Sequence, residues 1–404
     1  MRSSPLDKSL ASTELQLTAP RNTLNAFGGR WEMACGSNAS YRVRICEGLT
    51  APRSNALREA VADRRALLVM TPTVAQLHAS SLAAKLPRGV ATMVLGVGET
   101  SKTMQTVEQV CAEAVRHGLT RDGLLVAVGG GVCSDVVTMA ASIIRRGVGH
   151  VRIPTTLIGQ IDAGVGLKGS INFLGKKSFL GCFHPPEQVL IDPAFLRTLP
   201  KRFLVSGIAE SVKMAVSRDW RLFALLESRA EEMIAAGFAS EPEAVRELLE
   251  RSITGMLDEL SQNPYEDQTW ERVVDFGHTF SPALEAALNF DIHHGEAVAV
   301  DIALSATLSR SMGLLSGEAH QRIIALLKRC GLPIWMPELT PSLCTLALAD
   351  ASRHRGGCAN LVIPTRIGGT AFVKRTEDIP PRALEHALRH LAGLANEGVE
   401  ACAS

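Results

Sequence analysis

The chain has 404 residues, a net charge of +1, 21% charged and 46% hydrophobic residues, and only 4% aromatics. That length suits two domains with separate cores, the balanced charge offers no field for nucleic acid or an anionic membrane, and the few aromatics exclude a base-stacking surface. No apolar run reaches a membrane span, the first residues lack a signal-peptide core, and nine cysteines without a CxxC pair fit reduced thiols, so a cytoplasmic protein is expected.

Residues 1–37 are rich in Ser, Thr, Pro and Asn without a period, and read as a loose tail or extra edge segment. Alternation at 41–46 (YRVRIC) predicts a strand, and 66–70 (ALLVM) a buried one. Helical spacing follows at 74–86, a strand at 91–95 and an amphipathic helix at 104–117. A third apolar strand, 124–128, completes the pattern of a doubly wound parallel sheet. That strand runs into Gly129-Gly130-Gly131-Val132-Cys133-Ser134-Asp135 and a helix. A glycine turn there lets backbone N–H groups approach a pyrophosphate, although a tight turn alone also explains three glycines. Asp135 near the helix start has a plain reading too, as a carboxylate favoured by the helix dipole. The acid expected to hold a ribose is missing: Thr71-Pro72 follow the LLVM strand, and Glu99 is the substitute.

Residues 145–186 concentrate glycine, lysine, asparagine and serine around Asp162, Lys168, Lys176 and Lys177, after a strand at 151–154. This reads as an anion-binding loop, packed by its own apolar residues. From about residue 200 the pattern turns helical. One helix is expected through GIAESVKMAVSRDWRLFALLE, with Glu210 and Lys213 on one face. Spacing alone makes that a surface ion pair; its apolar neighbours make it a buried one that needs a reason. More helices are expected at 243–259, 318–330 and 382–394, with a small hairpin from 361–364 and 369–373. The stretch 275–304 reads as helix, loop, helix, with His278 opening the first helix and His294 the second. Two histidines at two helix mouths suit a metal, or simply cap helices, and Glu210 is the candidate third ligand. The boundaries expected are a tail at 1–37, an α/β domain at 38–203 and a helical domain at 204–404, with the active site in the cleft between the domains.

GGGVCSD, RRG, IPTTLIGQIDAGVGLK, HPP, GIAESVK, DFGHTFSP and HGEAVA occur in the order and spacing of the sugar-phosphate cyclase superfamily, and the chain resembles its dehydroquinate synthase-like members over about residues 60–370. The resemblance implies a Rossmann-like NAD domain joined to an α-helical metal-binding domain, a divalent metal (zinc, with cobalt as the alternative), a homodimer and cyclisation of a phosphorylated keto-sugar. Residue by residue, it implies Glu210, His278 and His294 as metal ligands. It implies Glu99, Lys102, Gly130, Gly131, Asp135, Thr155, Thr156, Asp162, Lys168 and Lys177 at the cofactor, and Arg146, Asp162, Lys168, Lys213 and Asp275 in catalysis.

The departures select a branch. Dehydroquinate synthases read NFGHTFGHA where this chain has Asp275 and Pro282, an arginine where it has Glu271, and a lysine pair where it has Arg353-His354-Arg355. The expectation drawn is that cations for a substrate carboxylate are lost. DFGHTFSP, YED, RHRGG and NLVIPT resemble the 2-epi-5-epi-valiolone synthases, which cyclise sedoheptulose 7-phosphate toward C7-cyclitols. Ser178 in place of Asn and Thr71 in place of an acid depart from the pattern. The implied chemistry is transient oxidation by NAD, phosphate elimination, reduction and an intramolecular aldol reaction. Alternatives are 2-epi-valiolone or another sedoheptulose 7-phosphate cyclase, 3-dehydroquinate synthase, a metal-dependent NAD alcohol dehydrogenase, and a non-catalytic sugar-phosphate binder.

Overall fold

The computed structural model describes residues 40–87, 90–96 and 98–402, with the backbone of three short strands before them. Those strands are β1 (Thr13–Gln16), β2 (Thr23–Phe27) and β3 (Arg30–Ala34). β1 adds an antiparallel edge to the main sheet, and β2 and β3 pair with each other. The rest of the expected tail lies outside the described residues.

The α/β half continues with β4 (Ser40–Ile45), α1 (Ala56–Val61), β5 (Ala66–Met70), α2 (Pro72–Ala83), β6 (Ala91–Val94), α3 (Met104–Arg116), β7 (Leu124–Gly129) and α4 (Gly131–Ile143). Then come β8 (Gly149–Pro154), β9 (Lys168–Phe173), β10 (Lys176–Phe183) and β11 (Gln188–Ile191). The sheet order is β1-β4-β11-β8-β7-β5-β6, parallel throughout except at β1. β5 and β7 are buried at every position, as central strands covered on both faces must be. The strand order reverses between β5, whose connection leads outward to β6, and β7, whose connection leads the other way to β8, so the glycine turn after β7 opens where doubly wound sheets bind ligands. The segment expected as a packed loop is instead the antiparallel hairpin β9–β10. Alternating small and apolar residues there follow a strand period that the glycines obscured.

The second half holds α5 (Lys201–Ser217), α6 (Trp220–Ala235), α7 (Pro242–Gln262), α8 (Ser281–Ala287), α9 (His294–Ser311), α10 (Gly317–Arg329) and α11 (Pro341–His354). The hairpin β12 (Leu361–Arg366) and β13 (Gly369–Val373) and the last helix α12 (Pro381–Cys402) follow. The single helix expected through residue 227 is two. Asp219 caps α6 by accepting from the N–H groups of Arg221 and Leu222. One large apolar core joins α5, α9 and their neighbours to the β11 side of the sheet. α9 lies so close to α5 that a Cβ on Gly295 would sit 2.0 Å from the Ser206 carbonyl oxygen. Among the described residues, no helix is long and apolar enough to cross a membrane.

Candidate active site

α5 is buried almost throughout, and the Lys213 and Glu210 side chains are 2% and 1% exposed. The surface-pair reading therefore fails, and both charges have partners. Lys213 Nζ lies 2.6 Å from Glu210 Oε2 and 2.7 Å from Asp162 Oδ2. Asp162 is delivered by a π-helical turn, Gly159–Ala163, which re-aims side chains that an α-helix would point elsewhere. His278 does not open a helix as expected: α8 begins three residues later, and Gly277, at φ +75°, turns the chain there. His294 does open α9, and His293 caps it with Glu296.

Both imidazoles turn Nε2 toward Glu210 Oε1, at 3.5 Å for His278 and 3.2 Å for His294. Their Nδ1 atoms face away, His278 toward the Phe276 carbonyl at 3.1 Å and His294 toward Glu285 Oε1 at 2.7 Å. That fixes Nδ1 as the protonated nitrogen and leaves Nε2 as a ligand atom. Glu285 was not read from the sequence. The signal was its place, two turns of chain after His278 on a face no one-residue motif marks. It is buried, and its second oxygen pairs with Lys177.

One donor atom from each of Glu210, His278 and His294 lies within 4.8 Å of the others. Neither Glu210 oxygen receives a well-directed hydrogen bond, although both are buried. An orphaned buried carboxylate facing two Nε2 atoms fits a divalent ion, and two histidines with one glutamate is a known catalytic zinc donor set with an open position. Burial works to protonate Glu210, but Lys213 and the imidazoles hold its carboxyl well below the usual range. Burial pushes the Asp162 carboxyl up against the pull of Lys213. Burial lowers His278 to about 4. His294 moves the other way, to about 9, because the neighbouring Glu210 and Glu285 carboxylates outweigh burial.

On the sheet side, α4 begins at Gly131 with Gly130 as its cap, and no side chain caps its free N–H groups. A Cβ on Gly130 would meet Thr156 Cγ2 at 3.1 Å, and Thr155 N donates to the Gly129 carbonyl at 3.0 Å. Three strand ends thus pack as closely as glycine permits beneath an uncapped helix start, a fit for a pyrophosphate. Asp135 sits beyond the first turn, so the dipole does not explain it. It pairs with buried Lys102 at 2.6 Å. Lys102 also reaches Ser178 Oγ at 3.2 Å, and Asn172 links Glu99 to the Ser178 N–H. Ser178 stands at φ +51°, a left-handed conformation that asparagine tolerates well. Thr71 is buried, its methyl against Gly129.

A third cluster lines the remaining side. Asp275 Oδ2 meets Arg355 Nη2 at 3.1 Å, and its Oδ1 meets Arg272 Nη1 at 3.4 Å. Arg272 also reaches Glu266 Oε1 at 2.7 Å, and Glu266 pairs with Lys168. Burial opposes ionisation of Asp275, yet Arg272 and Arg355 hold its carboxyl below the usual range. The expectation that cations are lost here is corrected: Arg355 is buried in this cluster, and Arg272 stands beside Glu271. Their charge is neutralised by Asp275 and Glu266 rather than absent. Arg146, at φ +68° and exposed, makes no hydrogen bond or ion pair with these groups among the described residues.

The family model described as 3-dehydroquinate synthase N-terminal matches residues 92–206, and the one described as 3-dehydroquinate synthase C-terminal matches residues 207–352. A 2-epi-5-epi-valiolone synthase of Streptomyces glaucescens is 42% identical over 371 residues, covering 90% of this chain and 94% of that one. The solved 2-epi-5-epi-valiolone synthase of Streptomyces hygroscopicus subsp. jinggangensis 5008, with NAD+ and Zn2+ bound, superposes with a TM-score of 0.84 at 39% identity, covering 90% of this chain and 99% of that one. A 2-deoxy-scyllo-inosose synthase shares the fold at 20% identity, with a TM-score of 0.71, over 91% of this chain and all of that one. The chain belongs to the dehydroquinate synthase-like sugar-phosphate cyclases and is similar, within them, to the 2-epi-5-epi-valiolone synthases.

Proposed function

We propose that this chain is an NAD- and metal-dependent carbon–oxygen lyase that converts sedoheptulose 7-phosphate to 2-epi-5-epi-valiolone with loss of phosphate, working as a homodimer. The observation that carries the reading is the convergence of Glu210, His278 and His294 on one point, with Lys213 and Asp162 immediately beside it. The strong similarity to 2-epi-5-epi-valiolone synthases supports the substrate.

In this reading the α/β half, about residues 38–203, holds NAD through Gly130, Gly131, Thr155, Thr156, Asp135, Lys102 and Glu99. The helical half, about 204–404, holds the ion through Glu210, His278 and His294. When bound, NAD supplies a reversible hydride acceptor and the divalent ion, zinc or cobalt, a Lewis acid. The chain's own residues do the rest. Lys213 carries three donors, of which Asp162 accepts one at 2.7 Å, while Glu210 Oε2 stands 2.6 Å away as a counter-charge. A remaining donor can stabilise negative charge developing on a substrate oxygen. Asp162 fixes that ammonium by accepting its hydrogen bond. Lys168 and Arg146 offer cations to the phosphate, and departing phosphate takes the neighbouring carbon's proton. Asp275, kept ionised by two arginines, accepts a sugar hydroxyl where a carboxylate-binding enzyme needs a neutral or cationic group.

The test is to incubate the protein with NAD+, Zn2+ and sedoheptulose 7-phosphate while following phosphate and absorbance of NADH. Phosphate release without net NADH, and NMR of a 2-epi-5-epi-valiolone product, is the expected result. Net NADH would indicate a dehydrogenase. Turnover of the heptulosonate substrate of dehydroquinate synthase instead would overturn the role given to Asp275.

A further inference from the structure

We propose that Glu285 is a positioning residue that couples the cofactor-side hairpin to the metal centre, so that NAD and the divalent ion bind cooperatively. The inference rests on the metal and NAD reading above and goes beyond it. Glu285 is buried, and its two oxygens serve different halves of the molecule. Oε1 accepts from His294 Nδ1 at 2.7 Å, and Oε2 pairs with Lys177 on β10. Lys177 is a cofactor-side residue, 108 positions away in sequence. The helix that carries Glu285 is itself anchored: Asp301 of α9 accepts from Phe280 N at 2.5 Å and Ser281 N at 2.9 Å at the start of α8.

The physical consequence follows from sharing one carboxylate. A carboxylate bound to Nδ1–H fixes the tautomer and ring angle of a ligating histidine, and losing it costs about 10–100-fold in metal affinity. The hairpin meets the Rossmann half through Asn172 and Ser178, which touch Glu99 and Lys102. A cofactor that orders the hairpin orders Lys177, and Lys177 then holds Glu285 in the position His294 needs. The ion's occupancy of His294 helps the cofactor by the same factor, because binding linkage is reciprocal.

The experiment measures the dissociation constant of Zn2+ by chelator competition, with and without NAD+ at concentrations that saturate each protein. The Co2+ visible spectrum reports ligand geometry. In the native protein NAD+ tightens Zn2+ by about 5-fold or more. Glu285→Gln keeps an acceptor for His294 but presents an amide to Lys177. It weakens Zn2+ by about tenfold, alters the Co2+ spectrum and abolishes the NAD+ effect. Lys177→Met, on the partly exposed hairpin, abolishes the NAD+ effect while weakening Zn2+ less than Glu285→Gln does. Unchanged Zn2+ affinity in Glu285→Gln overturns the positioning role, and an undiminished NAD+ effect in both variants overturns the coupling. A native protein that binds neither Zn2+ nor NAD+ overturns the functional reading itself, and this inference with it.

Discussion

Arg355 closes on Asp275 from a position 80 residues later in the chain, with Nη2 3.1 Å from Oδ2, while its other terminal nitrogen donates to the Ala359 carbonyl at 2.8 Å. The guanidinium is thus committed to the protein rather than offered to substrate. Asp275→Asn should leave Arg355 without its counter-charge and Arg272 with Glu266 alone. We expect a stability loss of about 3 kcal/mol, the lower end of the range for a broken buried pair, because Asp275 is partly open to water. Turnover of sedoheptulose 7-phosphate should fall by about 100-fold. Adding Arg355→Met to that variant should restore part of the stability, a coupling that urea titration of the double-mutant cycle measures.

Metal chemistry and charge stabilisation are separable in this site. His278→Ala removes a proposed metal ligand whose side chain is 27% exposed, so the fold should survive. Zinc content should fall to background and phosphate release by about 1000-fold or more, with no recovery on adding Zn2+. Lys213→Met removes a buried cation but no ligand. It should retain zinc by elemental analysis and still lose about 100- to 1000-fold in turnover. Equal metal loss in both variants would show that Lys213 serves the metal and not the substrate.

Much of this site was legible in the sequence because its parts obey local rules. β7 ending in three glycines before a helix reads correctly, since only strand burial and turn chemistry are involved. Glu210, His278 and His294 were named, but their approach depends on α5 packing against α9, which no spacing reports. The β9–β10 hairpin escaped because glycines and lysines mask a two-residue period. Asp219 gave a clear break between α5 and α6 that helical apolarity overrode. Glu285, Glu266, Arg272 and the neutralising role of Arg355 were invisible for one reason: each is defined by a partner from another element. Ser178 is the converse case. It departs from the family's Asn, yet the backbone keeps the left-handed conformation such an Asn would favour.

His150 gives the fold an acid limit. It is fully buried beside Arg152 and stacked on His184, with ring centroids 5.2 Å apart. Its Nε2 lies 3.2 Å from Thr138 Oγ1, a hydroxyl that donates to the Ser134 carbonyl at 2.7 Å and accepts from Arg152 Nη2 at 2.8 Å and Nε at 3.2 Å. Its Nδ1 is buried without a hydrogen-bond partner among the described residues. Burial first, then Arg152 and His184, hold this imidazole well below its ordinary 6.5. The unfolded chain takes up a proton below about pH 6.5 that the folded chain refuses. The stability this neutral group contributes is present above that pH and declines as pH falls, by up to about 1.4 kcal/mol per unit. His150→Gln keeps a polar group beside Thr138 but cannot take up a proton. Urea titrations from pH 7.5 to 5 should show the variant's stability falling less, by about 2 kcal/mol at pH 5.

The contact between α5 and α9 sets the position of His294, and a single atom tests it. A Cβ on Gly295 would lie 2.0 Å from the Ser206 carbonyl oxygen, and Gly295 N donates to Ser206 Oγ at 3.0 Å. The atoms it would strike, the carbonyl oxygen, carbonyl carbon and Cα of Ser206, are all backbone of buried α5, so none can swing aside. Gly295→Ala should push the helices apart at a cost of about 3 kcal/mol and move His294 off Glu210. Gly317, at the start of α10, is the control, because nothing lies within 4 Å of its would-be Cβ. Gly317→Ala should be neutral or stabilising by about 0.5 kcal/mol. Thermal melts compare the folds, and chelator competition for Zn2+ reads the displacement of His294. Equal melting temperatures and equal Zn2+ affinity in the two variants would mean that α9 can slide on α5 without disturbing the metal ligands.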